Sequence, residues 1–314
     1  MLSLKCYKLC AKGRIRSSMP EAGRPLATGG QITTYLQIGL DCSFVHPFVG
    51  LFVTFVAKVI MALLKSPQEI EILRTGGKIL AEILKLVAKE AKVGVTTEEL
   101  DELAEKMILE KGGEPSFKGY GDHGPSYPAT LCTSINEQVV HGIPGSTVLK
   151  DGDVLSLDIG MKYPKKCGLF TDMAVTVAIG KIGKIEKKLM GVTRHALDIW
   201  LNKIKPNVDL NEIARQVQEY VESNGFSVIR ELAGHGVGHA VHESPMIPNY
   251  YSPNSEFILK EGMVLALEPM VSAGGYRIKT LSDGWTIVTV DKSVCAHFEH
   301  TVAVTKNGCE VLTK

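Results

Sequence analysis

Four acidic residues stand where the sequence could perform metal chemistry. Asp158 and Glu268 end the apolar runs VLSLD and VLALE, and Asp172 and Glu299 lie in two further strand-like runs. A carboxylate near a buried strand is unfavourable unless it is paired or bound to a cation. Four converging acids cannot all stay ionised without cations, so these residues predict a site for divalent metal ions. The alternative is that each acid merely ends a strand at the protein surface.

A histidine-rich segment offers the nitrogen ligand that such a site would use. The segment GHGVGHAVHESP places His235, His239 and His242 among glycines. Strand alternation would put His235 and His239 on one face and His242 on the other, so we do not expect all three to be ligands. One imidazole added to the acids would complete a two-metal site of the kind that activates water for hydrolysis. His141, in NEQVVHGIP, is a weaker candidate at the edge of the site.

An internal repeat indicates how the acids are brought together. The segment LKDGDVLSLD at 149–158 matches LKEGMVLALE at 259–268 at most positions. A weaker echo relates DMAVTV, which begins at Asp172, to EHTVAV, which begins at Glu299. A repeat of this kind predicts two similar halves that pack about a pseudo-two-fold axis with their sheets joined. Each half would then contribute carboxylates from strands near the axis.

The elements that must position these residues are signalled by helix caps and alternating runs. Ser66-Pro67-Gln68-Glu69 predicts a capping box, and helical spacing of apolar residues continues to Gly94. Thr96 and Glu99 form a second box, ahead of a helix that ends at 112–113. The order is two helices, strands, two helices and strands, which predicts an α/β (α+β) fold. The other predicted elements are strands at 129–135, 153–160 and 170–178, helices at 185–204 and 209–224, and strands from there to the C-terminus.

Composition excludes several classes of protein. The 314 residues are 45% hydrophobic and 22% charged, which is ordinary for a globular chain. A net charge of +1 provides no broad electrostatic surface for nucleic acid. The seven cysteines are an odd number without a CxxC pair, so neither a disulfide framework nor a structural zinc knuckle is indicated. A reducing compartment, the cytoplasm, is the simpler expectation.

The N-terminal segment 1–60 differs from the rest of the chain. It carries seven basic and two acidic side chains, whereas residues 61–314 have an acidic excess. An apolar stretch at 43–64 is long enough for a membrane anchor, although Pro47 and Lys58 interrupt it, and the basic start also fits a targeting leader. We favour a third interpretation, in which 1–60 is an extension without a fold of its own, or precedes the true start at Met61, and 61–314 is the catalytic domain.

Six motifs together carry a family resemblance. In order, NEQVVHGIP, DGDVLSLDIG, FTDMAVTV, GHGVGHAVHESP, EGMVLALEPMV and FEHTVAVT resemble the motifs of type I methionine aminopeptidases over roughly residues 61–314. The resemblance implies the pita-bread fold, two pseudo-symmetric αβ halves with a joined antiparallel sheet, in agreement with the internal repeat. It also implies two divalent ions, which could be cobalt, manganese, iron, zinc or nickel.

The resemblance further implies a role for each matching residue. Asp172 and Glu299 would bridge both ions, and Glu268 would also carry a proton to the leaving amine. His141 and His242 would be non-ligand histidines that contact the scissile amide and the developing oxyanion. The full ligand set would be Asp158, Asp172, His235, Glu268 and Glu299. The substrate pocket would be lined by Tyr120, Tyr127, Cys132 and Trp285, together with His141 and His242.

Several departures from the family pattern are visible. Glu268 follows His235 by only 33 positions, so the long insertion of type II enzymes is absent. Residues 1–60 lack the paired-cysteine zinc module of eukaryotic cytosolic type I enzymes. The loop FKGYGDHGPSYPATLC is longer than usual, Phe117 and Val241 replace commoner pocket residues, and Ser244 replaces a glutamate.

The implied function is removal of the N-terminal methionine from nascent proteins and peptides that have a small second residue. Partners would be the N-termini of nascent polypeptides, with the ribosome as a further candidate; no nucleic acid is required, and a monomer is expected. Proline-specific peptidases and creatinase share the architecture, but the GHGVGHAVHESP and EPMV contexts argue against them. Some members of the fold have lost the metal ligands and only bind proteins, and the five intact ligand positions argue against that alternative.

Overall fold

The structure is a computed structural model that describes residues 63–121, 125–253 and 255–314. The interpretations of residues 1–60 as an extension, leader or anchor lie outside these residues. Within the described ranges, none of the helices combines the length and the apolar character that crossing a bilayer requires.

Two capped helices open the first half of the fold, as the sequence predicts. The Ser66 side chain accepts from the backbone of Glu69, whose carboxylate in turn accepts from the backbone of Ser66. Thr96 and Glu99 repeat the arrangement at the next helix. Both boxes satisfy backbone N–H groups that a helix start leaves unpaired. Helix α1 spans Pro67–Glu90, and α2 spans Thr97–Glu110.

A long antiparallel hairpin forms the centre of this half. Its two strands, β4 and β5, pair from Val154 opposite Ala178 to Tyr163 opposite Leu169. Two other strands, β1 and β2, pair with the opposite edge of β4. The three predicted strands are thus confirmed. The strands of this half are β1 (Glu114–Pro115), β2 (Leu131–Ile135), β3 (Gln138–Val140), β4 (Val154–Tyr163) and β5 (Leu169–Ala178).

The second half repeats the plan of two helices followed by strands. Helices α3 (Lys184–Lys203) and α4 (Leu210–Ser223) lie where the periodicity predicts them. Asp209 caps α4 by accepting from the backbone N–H of Asn211. The strands of this half are β6 (Ser227–Val228), β7 (Ala233–Gly236), β8 (Glu243–Pro248), β9 (Val264–Leu267), β10 (Met270–Ser272), β11 (Ile278–Thr280), β12 (Ile287–Thr289), β13 (Cys295–His297), β14 (Glu299–Thr305) and β15 (Gly308–Val311).

One antiparallel sheet joins the two halves. Its main path runs β1-β4-β5-β14-β9-β7-β8, with β2 beside β4 and β15 beside β14. Strands β5 and β14 meet at its centre, where Glu299 lies opposite Ala174. Strand β4 begins at Val154 and β9 at Val264, which are matching positions of the sequence repeat. The repeat and the joined sheet are therefore confirmed, with the equivalent strands β4 and β9 flanking the central pair.

Each pair of helices buries its apolar face against this sheet. In the first half, Leu84 of α1 packs in one core with Leu157 of β4. In the second half, Trp200 of α3 packs in another core with Leu265 of β9. Because side chains alternate along a strand, Asp158 points away from the core that takes Leu157. The helices thus cover one face of the sheet and leave the acids on the other.

The α1 helix offers a test of this packing with two leucines. Leu84 is 1% exposed within the core, whereas Leu86 is 47% exposed on the same helix. Leu84→Ala should lower the free energy of unfolding by about 2–5 kcal/mol, because it leaves a cavity. Leu86→Ala should change it by less than about 0.5 kcal/mol. Urea denaturation of both variants measures this, and equal losses would contradict the assignment of the helix faces.

Candidate active site

The structure brings every predicted site residue to a single cavity on the sheet face opposite the helices. Besides these residues, apolar side chains line the cavity, among them Phe117, Leu232 and Met270. The cavity therefore combines acidic and imidazole side chains with apolar walls. The role of each predicted residue stays a prediction. The predicted residues in its lining are Tyr120, Tyr127, Cys132, His141, Asp158, Asp172, His235, His242, Glu268, Trp285 and Glu299.

Strand register explains why the carboxylates converge. Ala174 of β5 lies opposite Asp158 of β4 on one side and opposite Glu299 of β14 on the other. Residues directly opposite on neighbouring strands share a face of the sheet. Asp172 comes two positions before Ala174 and so also shares this face. Glu268 follows β9, the strand on the far side of β14, so four adjacent strands supply the four acids.

Burial raises the pKa of all four carboxyl groups. It is the largest cause for Asp158, whose pKa rises to about 7, while nearby His297 lowers that pKa and Glu268 raises it. Burial and then repulsion by Asp158 and Glu268 raise the pKa of Asp172 well above its usual value. The pKa values of Glu268 and Glu299 are also raised well above the ordinary range, chiefly by burial. Ionised acids at this spacing require compensating positive charge.

The donor atoms fit divalent cations. Among the residues that the structure describes, Asp158 Oδ1 and Glu299 Oε1 are buried and have no hydrogen-bond partner, as expected for oxygens that serve a cation. Asp172, His235 and Glu299 each place one ligand atom within 4.8 Å of the others. Glu268 lies beside this group, with Oε1 3.5 Å from His235 Nε2. Three carboxylates and one imidazole within this small volume suit a hard divalent ion.

The hydrogen bond and the burial of His235 suit a neutral metal ligand. Its Nδ1–H group donates to the Gly236 carbonyl oxygen at 2.9 Å, so the lone pair on Nε2 is free to bind a metal ion. Burial, with a further contribution from His242, lowers the pKa of His235 to about 3. The ring is therefore neutral at physiological pH, as a metal ligand must be.

The positions of His239 and His242 contradict the prediction that His235 and His239 share one face. His242, not His239, shares the cavity with His235, and their ring centroids lie 4.4 Å apart. His239 instead turns outward and places Nε2 2.6 Å from Glu69 Oε1. The prediction from strand alternation was wrong because β7 ends at Gly236, and a period of two residues does not extend into the turn that follows.

His141 and Tyr120 place further polar groups in the cavity wall. His141 directly follows β3 with a φ of +59°. Burial lowers its pKa to about 4, with further contributions from His242 and His297. The Tyr120 hydroxyl lies 2.6 Å from His242 Nδ1. Burial lowers the pKa of His242 as well, so both histidines are neutral hydrogen-bonding groups at pH 7.

Aromatic side chains form one apolar wall. Tyr127 is 2% exposed, and its hydroxyl donates to the backbone oxygens of Leu131 and Gly142, each at 3.1 Å. Its ring meets Trp285 edge to face, with centroids 5.3 Å apart. Burial keeps the Cys132 thiol protonated by raising its pKa well above the usual value. These groups pack together with Ala129, Phe117 and Ile143, whereas Val241 is buried but does not line the cavity.

His297 is a site residue that the sequence reasoning missed. Its ring is 1% exposed, with Nε2 3.5 Å from Glu268 Oε2 and 4.0 Å from Glu299 Oε2. Neither ring nitrogen has a hydrogen-bond partner within the described residues. The available signal was position, because His297 stands two residues before Glu299 in HFEH.

The comparisons with known proteins agree with this geometry. The model of metallopeptidase family M24 matches residues 71–306. The chain belongs to this family. Methionine aminopeptidase 1 of Bacillus subtilis is 48% identical over 254 residues, covering 81% of this chain and 100% of the relative. Methionine aminopeptidase of Escherichia coli K12 is 41% identical over 252 residues, covering 80% of this chain and 93% of the relative.

Solved structures of similar proteins show the same fold. Methionine aminopeptidase from Thermotoga maritima matches with a TM-score of 0.76 at 44% identity, covering 80% of this chain and 98% of that structure. Prolidase from Pyrococcus furiosus matches with a TM-score of 0.66 at 22% identity, covering 82% of this chain and 67% of that one. The prolidase shares the fold only, whereas the aminopeptidases also share sequence. The predicted pita-bread fold and metallopeptidase class are therefore confirmed, and the family implies divalent metal ions.

Metal retention tests the acid cluster directly. Asp172→Asn removes the charge of one predicted ligand, whose side chain is buried. Metal affinity should fall at least about tenfold, because even changes to residues that only support metal ligands typically cost about 10- to 100-fold. Asp198→Asn on α3 is the matched control, since that side chain is 51% exposed and should leave affinity unchanged. Titration of both variants with Mn²⁺ by calorimetry measures this, and wild-type affinity in Asp172→Asn would contradict the proposed ligand set.

Proposed function

We propose that this M24 metallopeptidase is a methionine aminopeptidase that removes the N-terminal methionine from nascent proteins and peptides with a small second residue. One observation carries the proposal: an apolar pocket of Tyr127, Cys132 and Trp285 shares a cavity with four carboxylates and His235. The names of its relatives from Bacillus subtilis and Escherichia coli support the same activity.

In this proposal, two divalent ions occupy the acid cluster. Asp172 and Glu299, from the central strands β5 and β14, would hold the ions together with Asp158, His235 and Glu268. When bound, such ions lower the pKa of water and polarise the substrate carbonyl. Cobalt, manganese, iron, zinc and nickel all suit this mixture of oxygen and nitrogen ligands.

Glu268 is the proposed proton carrier. Its carboxylate lies at the edge of the cluster, 3.5 Å from both His235 Nε2 and His297 Nε2. In this role, a Glu268 carboxylate oxygen takes up a proton from the attacking water. Glu268 then releases this proton to the leaving amine and returns to its ionised form.

His242 is the proposed donor to the developing oxyanion. The neutral ring carries one proton, and the Tyr120 hydroxyl can donate to Nδ1 at 2.6 Å, which places that proton on Nε2. The Nε2–H group can therefore donate to oxygen as negative charge develops on it. His141, also neutral, would contact the scissile amide.

The pocket accounts for the choice of methionine. An unbranched thioether fills an aromatic pocket well and gains favourable sulfur–ring contacts. A free α-amine would have to reach a metal ion or a nearby carboxylate, which limits cleavage to the first residue. We infer that the walls around His141 and Tyr127 crowd a bulky second side chain.

The catalytic domain is proposed to be residues 61–314. This range has 254 residues, and the alignment that covers the whole Bacillus subtilis relative also spans 254. A cytoplasmic location and a monomeric state complete the proposal, with nascent chains near the ribosome as substrates. The location is supported by the free thiols of Cys132, Cys167, Cys295 and Cys309.

Peptide selectivity tests the proposed substrate class. After reconstitution with each metal in turn, Met-Ala-Ser should be cleaved at least about tenfold faster than Met-Leu-Ser, because differences in side-chain size are worth about 10–200-fold. Chelation should abolish release of methionine from both peptides. Equal rates would indicate a broad aminopeptidase, and full turnover without metal would contradict the metal-dependent mechanism.

Truncation tests the domain boundary. A chain that starts at Met61 should fold and cleave Met-Ala-Ser with an unchanged kcat/KM, because every proposed ligand lies between 158 and 299. The full-length chain is the control, assayed at equal metal content. A truncated chain that is unfolded or mostly inactive would show that the extension belongs to the domain.

A further inference from the structure

The loop that carries His242 is held from its far side by four polar side chains. The loop covers residues 237–242, between β7 and β8. We call the four side chains the loop clasp: Lys65, two residues before α1; Glu69, in the first turn of α1; His239, in the loop; and Glu243, the first residue of β8. None of the four lines the cavity, so the proposed chemistry leaves them without a role.

Glu243 is the centre of the clasp. Its Oε2 accepts from Lys65 Nζ at 2.6 Å. Its Oε1 accepts from the backbone N–H groups of Ala240, at 2.9 Å, and of His239. The Lys65 side chain is 1% exposed, and removing one partner of a buried ion pair leaves the other charge uncompensated. The pair therefore fixes the turn that leads into His242.

Backbone contacts tie the same loop to the sheet. Gly238 has a φ of +143°, and a Cβ there would collide with Lys65 Cε, so a side chain at this position would displace Lys65. The Gly238 carbonyl accepts from Phe170 N at 2.8 Å, and Lys65 N donates to the Gly262 carbonyl at 2.7 Å. The Lys65 backbone is thus bonded next to β9, while its side chain packs against the loop. Both contacts fix its position.

Glu69 fixes the outer corner of the loop. One oxygen, Oε2, accepts from Ser66 N at 2.7 Å in the helix cap, and the other, Oε1, lies 2.6 Å from His239 Nε2. The hydrogen bond from His239 is the largest cause that lowers the pKa of Glu69, to about 2. The carboxylate is therefore ionised and can hold both partners at neutral pH.

The other side of the loop faces the cavity. His242 follows His239 by three residues, and its ring lies against His235, with Nδ1 at the Tyr120 hydroxyl. We propose that the clasp of Lys65, Glu69, His239 and Glu243 acts as a set of positioning residues that sets where the His242 ring lies. This inference rests on the role given to His242 in the proposed function. A displacement of about 1 Å in such a group can lower the rate on the order of 100-fold.

The test begins with Lys65→Met, which keeps the apolar stem and removes the ammonium. For Met-Ala-Ser, kcat should fall about 10- to 100-fold, whereas KM and Mn²⁺ affinity should stay within about twofold because no ligand or pocket residue is altered. Lys65→Arg should restore part of kcat. Arg74→Met is the matched control, because it removes an ion pair between α1 and Glu310 at 2.6 Å and should leave kcat unchanged.

A double-mutant cycle separates positioning from general destabilisation. Adding Lys65→Met to His242→Asn should lower kcat by less than about a further twofold, since the clasp acts through the ring that is already lost. If the two substitutions lower kcat independently, so that their factors multiply in the double variant, the proposal is overturned. A wild-type kcat in a folded Lys65→Met variant would also overturn it. If Lys65→Met does not fold, His239→Gln, with a side chain 45% exposed, is assayed in the same cycle. Wild-type kcat in His242→Asn would instead contradict the role of His242 in the proposed function.

Discussion

Mutual repulsion among four clustered carboxylates is the constraint on which the rest of this structure depends. Asp158, Asp172, Glu268 and Glu299 share one cavity, and burial raises the pKa of each. Such a cluster is unfavourable in a metal-free chain and becomes favourable when cations bind. The fold must therefore hold the acids together while they repel one another. Three of them lie within strands, and Glu268 directly follows the last residue of β9.

The joined sheet can hold the acids together because apolar packing on its helix-covered face fixes the register of its strands. Leu157 of β4 and Leu265 of β9 are fully buried under the helix pairs. A slip of one residue in β4 would move Leu157 into the cavity and Asp158 into the core. The free energy of apolar burial thus opposes any shift that would relieve the repulsion, so the two hydrophobic cores and the acid cluster depend on the same register.

Periodic and local signals made much of this architecture predictable from the sequence. The internal repeat reappears as the equivalence of β4 and β9, and both capping boxes start helices as expected. Signals of this kind do not extend into turns, which is why His239 was assigned to the wrong face. His297 was missed because its closeness to Glu268 depends on the pairing of β10 with β13, which no local pattern shows. The pocket residues required a family resemblance, since apolar lining and apolar core look alike in a sequence.

The start of α1 shows how a local signal can conceal a long-range contact. The spacing of Ser66 and Glu69 is fully explained by helix capping, yet capping uses mainly one of the two carboxylate oxygens. The other oxygen reaches His239, 170 residues away in the sequence, and neighbouring Lys65 reaches Glu243 across 178 residues. An ionised carboxylate accepts several hydrogen bonds at once, so a helix cap in one half of the molecule can also hold a loop of the other half. The two halves are therefore connected at this cap as well as through β5 and β14, and the second connection ends beside His242.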